Sequence, residues 1–239
     1  MGVPVATLKN SSQLTLPVQL PELAQFSLFV PGPNEMAVNY IRELDTHSFQ
    51  HTAIVGSDGA GKTHFLSAMT DMVHNRGDVA MYVPLEAVRH QSPALLEGLE
   101  EAQLLALDNI DAVTSNAEWS VALFALINRF MDRQEGHLLW SSKVPARSMQ
   151  IVLPDLQSRL QAATQFKLAP LDDNEKIQAL KLHLKSRGLI LNDDVAEFLL
   201  GRLSRGMHGL MQTVDALDQA SMREQRRLTL PFVKQVLNL

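Results

Sequence analysis

Lys62 and Thr63 are the first residues whose types and spacing can do chemistry. They close the run Gly56-Ser57-Asp58-Gly59-Ala60-Gly61-Lys62-Thr63: a glycine, four free positions, then Gly-Lys-Thr, with His64 next. In such a loop the glycines let the backbone curl until successive N–H groups face inward. A helix N-terminus behind it adds a positive field where a phosphate sits. The lysine then bridges the outer phosphates of a di- or triphosphate, and the threonine hydroxyl holds Mg2+. The second signal is Leu104-Leu105-Ala106-Leu107-Asp108, an apolar strand ending in a carboxylate that can complete a Mg2+ shell through water. Many ATPases follow it with a second carboxylate that polarises the attacking water. Here the residue is Asn109, whose amide cannot accept that proton at neutral pH, and Asp111 lies two positions on. The chemistry predicted is binding of a nucleotide with Mg2+ and slow turnover of it.

These residues need a strand before the loop and a helix after it. His51-Thr52-Ala53-Ile54-Val55 reads as the strand, and Phe65, Leu66, Met69 and Met72 have helical apolar spacing. A Gly-rich strand-to-helix turn without a ligand is the plainer reading, and the full pattern between these flanks argues against it. Short apolar strands are predicted at Thr52–Val55, Ala80–Val83, Leu104–Leu107, Leu138–Ser141 and Phe166–Leu168, with helical stretches between them. That alternation predicts an α/β fold, a five-stranded parallel sheet flanked by helices. A helix beginning near Asn34, with Ala37, Val38 and Ile41 on one face, precedes it.

After Pro170 the period turns purely helical. Asp172 with Glu175 predicts a capping box, Ile177, Leu180 and Leu184 a core stripe, and Gly188 a stop. Further helices carry Val195, Phe198 and Leu199, then Met207, Leu210, Met211, Val214 and Leu217. The last starts near Leu230, with Thr229 as cap and Pro231 in its first turn. The expected organisation is a flexible segment over 1–25, an α/β domain over 26–170 and a small helical domain over 171–239.

Composition narrows the class. The chain of 239 residues is 46% hydrophobic, enough for a real core, and its net charge of -5 does not suit a protein that coats DNA. It has no cysteine, which excludes disulfides, thiolate catalysis and zinc ribbons. No basic, apolar leader and no membrane-length run is present, so a cytoplasmic protein without membrane contact is expected.

The two-domain layout, the phosphate loop, Leu-Leu-Ala-Leu-Asp-Asn-Ile at 104–110 and Leu153-Pro154-Asp155-Leu156-Gln157-Ser158-Arg159-Leu160 resemble the AAA+ initiator group typified by DnaA. Within it the likeness is to the DnaA-homologous factors for regulatory inactivation of the initiator. It runs from Gln13-Leu14-Thr15-Leu16-Pro17 to the terminal Leu-Thr-Leu-Pro-Phe-Val-Lys-Gln-Val-Leu. DnaA itself continues into a helix-turn-helix DNA-binding domain, and this sequence ends at Leu239.

The resemblance implies roles that the residues alone leave open. The fold would be an AAA+ P-loop domain with a helical lid. Gln13, Leu14, Leu16 and Pro17 would dock on the DNA polymerase sliding clamp, an extended peptide placing leucines in an apolar pocket; taken alone the stretch reads as an edge strand or tail. Arg159 would be an arginine finger offered to the nucleotide of a neighbouring subunit; taken alone it reads as a surface helix arginine paired with Asp155. Phe29 and Val30 resemble the linker that packs on the base. The arginine of the initiators' helical domain is replaced by His208, and Arg205, one turn earlier, is the candidate to cover the phosphates. Ser141 and Ser142 stand where a polar phosphate sensor sits. The implied ligand is ADP, or ATP, with Mg2+ held by Thr63 and Asp108. The implied partners are the clamp and DnaA, with a homo-oligomer open and DNA reached through the clamp. The implied function is negative regulation of replication initiation by stimulating hydrolysis of DnaA-bound ATP. Two other readings stay open: a P-loop ATPase or kinase with its own turnover, and an AAA+ loader or adaptor in DNA replication.

Overall fold

The computed structural model describes residues 26–43, 48–202 and 207–239, apart from the His208 side chain. Five strands form one sheet: β1 (Gln50–Val55), β2 (Ala80–Pro84), β3 (Leu104–Asp108), β4 (His137–Ser142) and β5 (Thr164–Lys167). Every pairing is parallel, and the order is β2-β3-β4-β1-β5. The strand ends that bear chemistry, Val55, Asp108 and Ser142, therefore lie side by side along one edge of the sheet. β5 begins two residues earlier than its apolar run suggests. Thr164 and Gln165 are exposed because this edge strand pairs only with β1, while buried Leu168 lies past its end and donates its N–H to the Val55 carbonyl.

Side chains alternate between the two faces, as a strand's period of two requires. Ile54, Leu104, Ala106 and Leu139 pack with α1 (Glu35–Arg42) and α2 (Lys62–Asn75) through Ile41, Phe65, Leu66 and Met69. Their neighbours Ala53, Val55, Leu105, Leu107, Leu138 and Trp140 face α4 (Ala117–Arg133) and α5 (Pro154–Gln161). The four-residue α3 (Leu85–Val88) follows β2 and joins that second core. Two histidines cross the middle of the sheet. The Trp140 indole N–H donates to His51 Nε2 at 2.9 Å, and His137 Nε2 lies 3.0 Å from the Thr52 hydroxyl. Burial holds both neutral, lowering His51 to about 4 and His137 to about 3.

The helical part comprises α6 (Asp173–Ser186), α7 (Asp193–Arg202), α8 (Met207–Glu224) and α9 (Leu230–Leu237), around a separate core of Leu180, Leu184, Val195, Leu199, Val214 and Phe232. Among the described residues no strand follows Lys167. Asp172 and Glu175 form the reciprocal capping box, at 2.8 and 2.7 Å. Thr229 sits at the N-cap of α9, but its side chain caps nothing. Pro231 occupies the second helical position and has no N–H to offer it, which removes one of the two usual acceptable donors. The segment before α1 is tied to the segment after β5: the Asn34 side chain donates to the Ala169 carbonyl and accepts from its N–H, at 3.0 and 2.8 Å. No described helix is long and apolar enough to cross a membrane.

Candidate phosphate site and its surroundings

β1 delivers the chain into the loop at Gly56, and Gly61 caps α2. A Cβ on Gly56 would stand 2.9 Å from the Leu168 carbonyl, so the loop's close approach to the strand beside it needs glycine. Gly61 has φ of 90°, a backbone that L side chains resist. Lys62 is nearly buried, and its ammonium donates to the carbonyls of Gly56 and Ser57 at 2.8 and 3.0 Å. Burial lowers its pKa, with Asp58, Asp108 and Asp111 opposing. The lysine closes the loop upon itself, in the place where a phosphate would replace both carbonyls.

Asp108 is the hub of the site. Its Oδ2 accepts from the Thr63 hydroxyl at 2.7 Å and from the Tyr82 hydroxyl at 2.8 Å, and its Oδ1 accepts from the Ser141 hydroxyl. Burial and the adjoining carboxylate push the Tyr82 phenol pKa up, so it stays a donor. Asn109 breaks the strand with φ of 57°, donates its N–H to Ser141 Oγ at 2.9 Å, and puts its amide on the cleft wall. Ser142 is buried and its hydroxyl donates to the Val144 carbonyl. Ser141 thus positions Asp108 and Asn109, and neither serine lines the cleft. Tyr82 was not legible from the sequence, since only the β2–β3 register places it against Asp108.

Above the loop a cleft of about 1440 Å³ opens between the sheet domain and the lid. The sheet side contributes Lys62, Thr63, His64, Asn109 and Lys143. Lys143 pairs with Asp58 at 3.1 Å, both exposed, a contact worth about 0–1 kcal/mol. The lid side brings His183, Arg187, Met211 and Asp215, and Arg187 pairs with Asp215 at 2.7 Å and Asp218 at 3.1 Å. A smaller cavity beside the loop is walled by Phe29, Val30, Ala60 and Gly61, with His64 and His183 across it. The structure thus brings together Phe29, Val30, residues 56–64 and Asp108. Gln13, Leu14, Leu16, Pro17 and Arg205 lie outside the described residues, as does the His208 side chain.

Arg159 stands apart from both cavities. It makes no ion pair with Asp155. Its Nε donates to Asn128 Oδ1 at 3.0 Å, and its guanidinium lies 5.9 Å from the Phe124 ring centre. Packing of α5 on α4 overrides the i,i+4 pairing suggested by spacing, and the half-buried guanidinium lies beside a neutral amide. One turn ahead of Phe124, Val121 is exposed.

The sheet order, phosphate loop and C-terminal helices define an AAA+ type of fold. Domain III of the Thermotoga maritima replication initiator DnaA superposes with TM-score 0.74 at 20% identity, over 92% of this chain and 98% of that one. AMPPCP-bound DnaA from Aquifex aeolicus gives 0.62 at 19%, over 81% and 66%. The Thermotoga maritima RuvB Holliday junction branch migration motor gives 0.56 at 17%, over 79% and 61%. Residues 173–237 match the family described as "Hda, lid domain". That match covers the helical part, and the chain shares its fold with domain III of DnaA.

Proposed function

We propose that the chain is a nucleotide-bound regulator of replication initiation, which docks on the DNA-loaded sliding clamp and stimulates hydrolysis of ATP held by DnaA. The Hda match across 173–237 carries this reading. ADP or ATP binds with its phosphates on residues 56–63 and its base toward Phe29 and Val30; the DnaA of Aquifex aeolicus with AMPPCP supports an adenine nucleotide. The division near residue 170 makes the cleft a seam between two bodies that the nucleotide bridges. Thr63 and Asp108 fit Mg2+: a hydroxyl and a carboxylate 2.7 Å apart are hard oxygen ligands. Mg2+ held there would neutralise phosphate charge. Asn109 puts an amide, which cannot take a proton at neutral pH, where many ATPases carry the general base.

Arg159 is presented to DnaA. A guanidinium near its neutral partners, on a helix pair away from the chain's own cleft, is available to a nucleotide held by another subunit. Supplied in trans, it favours the charge that spreads over the γ-phosphate oxygens as the bond to ADP loosens. Docking through Gln13, Leu14, Leu16 and Pro17 concentrates the regulator at replicated DNA, which it reaches through the clamp. The test is capture of the clamp and of DnaA by wild type and by a Leu14→Ala/Leu16→Ala variant, in ADP and in ATP. Each buried leucine contributes roughly 1.5–3 kcal/mol, so the variant loses the clamp while keeping fold and nucleotide. Normal clamp capture by the variant would refute the docking role.

A further inference from the structure

We infer that His183 of α6 reads the base edge of the bound nucleotide and sets which nucleoside the site accepts. The inference rests on the nucleotide-binding reading above. His183 is 2% exposed, its imidazole has no hydrogen bond among the described residues, and its Nδ1 is walled off from water without a partner. A polar atom left unpaired in a packed interior is destabilising, and a partner that arrives with a ligand explains why it is kept.

Its place in the fold identifies that ligand. The ring lines both the large cleft and the cavity of about 50 Å³ beside the phosphate loop. It stands edge-on to His64 at 5.4 Å, and His64 stands edge-on to Phe29 at 5.3 Å. The three rings run from the segment before α1, through the first turn of α2, to the lid. With phosphates on Lys62 and Thr63, the base lies toward these rings, and the small cavity admits an edge of it rather than the whole ring. Its Phe29, Val30, Ala60 and Leu171 walls are apolar and distinguish no base. The two polar side chains on that wall are His64 and His183, and His183 is the one from the lid. Burial and the Arg187 cation one turn on keep His183 neutral, so it offers one donor and one acceptor. Adenine presents an amine donor beside a ring-nitrogen acceptor, where guanine presents a carbonyl acceptor.

His183→Phe keeps the ring and the stack on His64 and deletes both nitrogens, while His183→Asn keeps a donor and an acceptor. Calorimetric titration of the full chain with ADP, GDP, CDP and 2′-deoxy-ADP, in Mg2+, reads the difference. Wild type should prefer ADP over GDP, and His183→Phe should narrow that preference roughly tenfold while leaving the ADP to 2′-deoxy-ADP ratio alone. His183→Asn should recover part of it, and ligand-free His183→Phe should melt no lower than wild type. A wild type without base preference, an unchanged preference in His183→Phe, an equal loss for all four ligands, or a changed deoxy ratio would each overturn the inference. Failure of the underlying reading looks different: wild type and Lys62→Ala would then both ignore every nucleotide.

Discussion

Acidification should weaken this protein at the centre of its sheet. β1 and β4 carry the phosphate loop and Ser141, and they are joined through His137 with Thr52 and through Trp140 with His51. Their histidines titrate at about 3 and about 4 when folded, against 6.5 when free. A folded pKa below the unfolded one means that protons bind preferentially to the unfolded chain. The stabilisation is therefore complete above pH 6.5, falls as pH drops below that value, and is gone near the folded pKa values. Between pH 7.5 and pH 5 each histidine should give up about 2 kcal/mol, so the pair gives up about 4 kcal/mol. A domain stable by about 5–15 kcal/mol will feel that loss strongly. Urea unfolding of wild type and His51→Gln/His137→Asn at both pH values isolates the effect, because carboxylates are common to both proteins. Wild type should lose about 4 kcal/mol more than the variant across the interval. Equal losses in the two proteins would refute the assignment of neutral, buried histidines.

The nucleotide site makes two further predictions. Lys62→Ala should abolish nucleotide binding, and with it the rise in melting temperature that ligand gives wild type, about 2.7 kcal/mol of stability at a hundredfold excess over Kd; an unchanged ligand-induced shift would count against the loop. Because Asn109 lines the cleft where a carboxylate would polarise water, the isolated chain should turn over ATP slowly, about 10²–10⁴-fold below an enzyme with a base there. Brisk phosphate release by the chain alone would favour the reading in which it is an ATPase in its own right.

The strands, the loop and the lid's helical character are written locally and could be read locally. The apolar runs at 52–55, 104–107 and 138–141 fill the sheet's interior, and the Asp172–Glu175 box forms as its spacing requires. What stayed hidden depends on neighbours distant in sequence. Tyr82 meets Asp108 only because β2 lies beside β3 with Tyr82 opposite Ala106, and Ser141 reaches Asp108 only because β4 follows β3. Arg159 had a plausible partner in Asp155, but α5 lies on α4, and Asn128 and Phe124 take it instead. His183 left a fainter trace. It sits between Leu180 and Leu184 on the buried stripe of α6, and a polar residue on an apolar face marks a position worth questioning.

The central claim is that Arg159 completes catalysis on a nucleotide this chain does not hold. Arg159→Ala removes one hydrogen bond to Asn128 and a distant ring contact, so it should cost only about 1–2 kcal/mol of stability. Loss of a trans guanidinium should lower the rate by roughly 10³–10⁵. Arg159→Lys should fail nearly as badly, since an ammonium lacks the rigid fork of donors. The measurement is phosphate release from ATP-bound DnaA in the presence of DNA-loaded clamp and either wild type or Arg159→Ala. The variant should fold, bind nucleotide and dock on the clamp, yet leave DnaA at its unstimulated rate. Stimulation within a few-fold of wild type would contradict it.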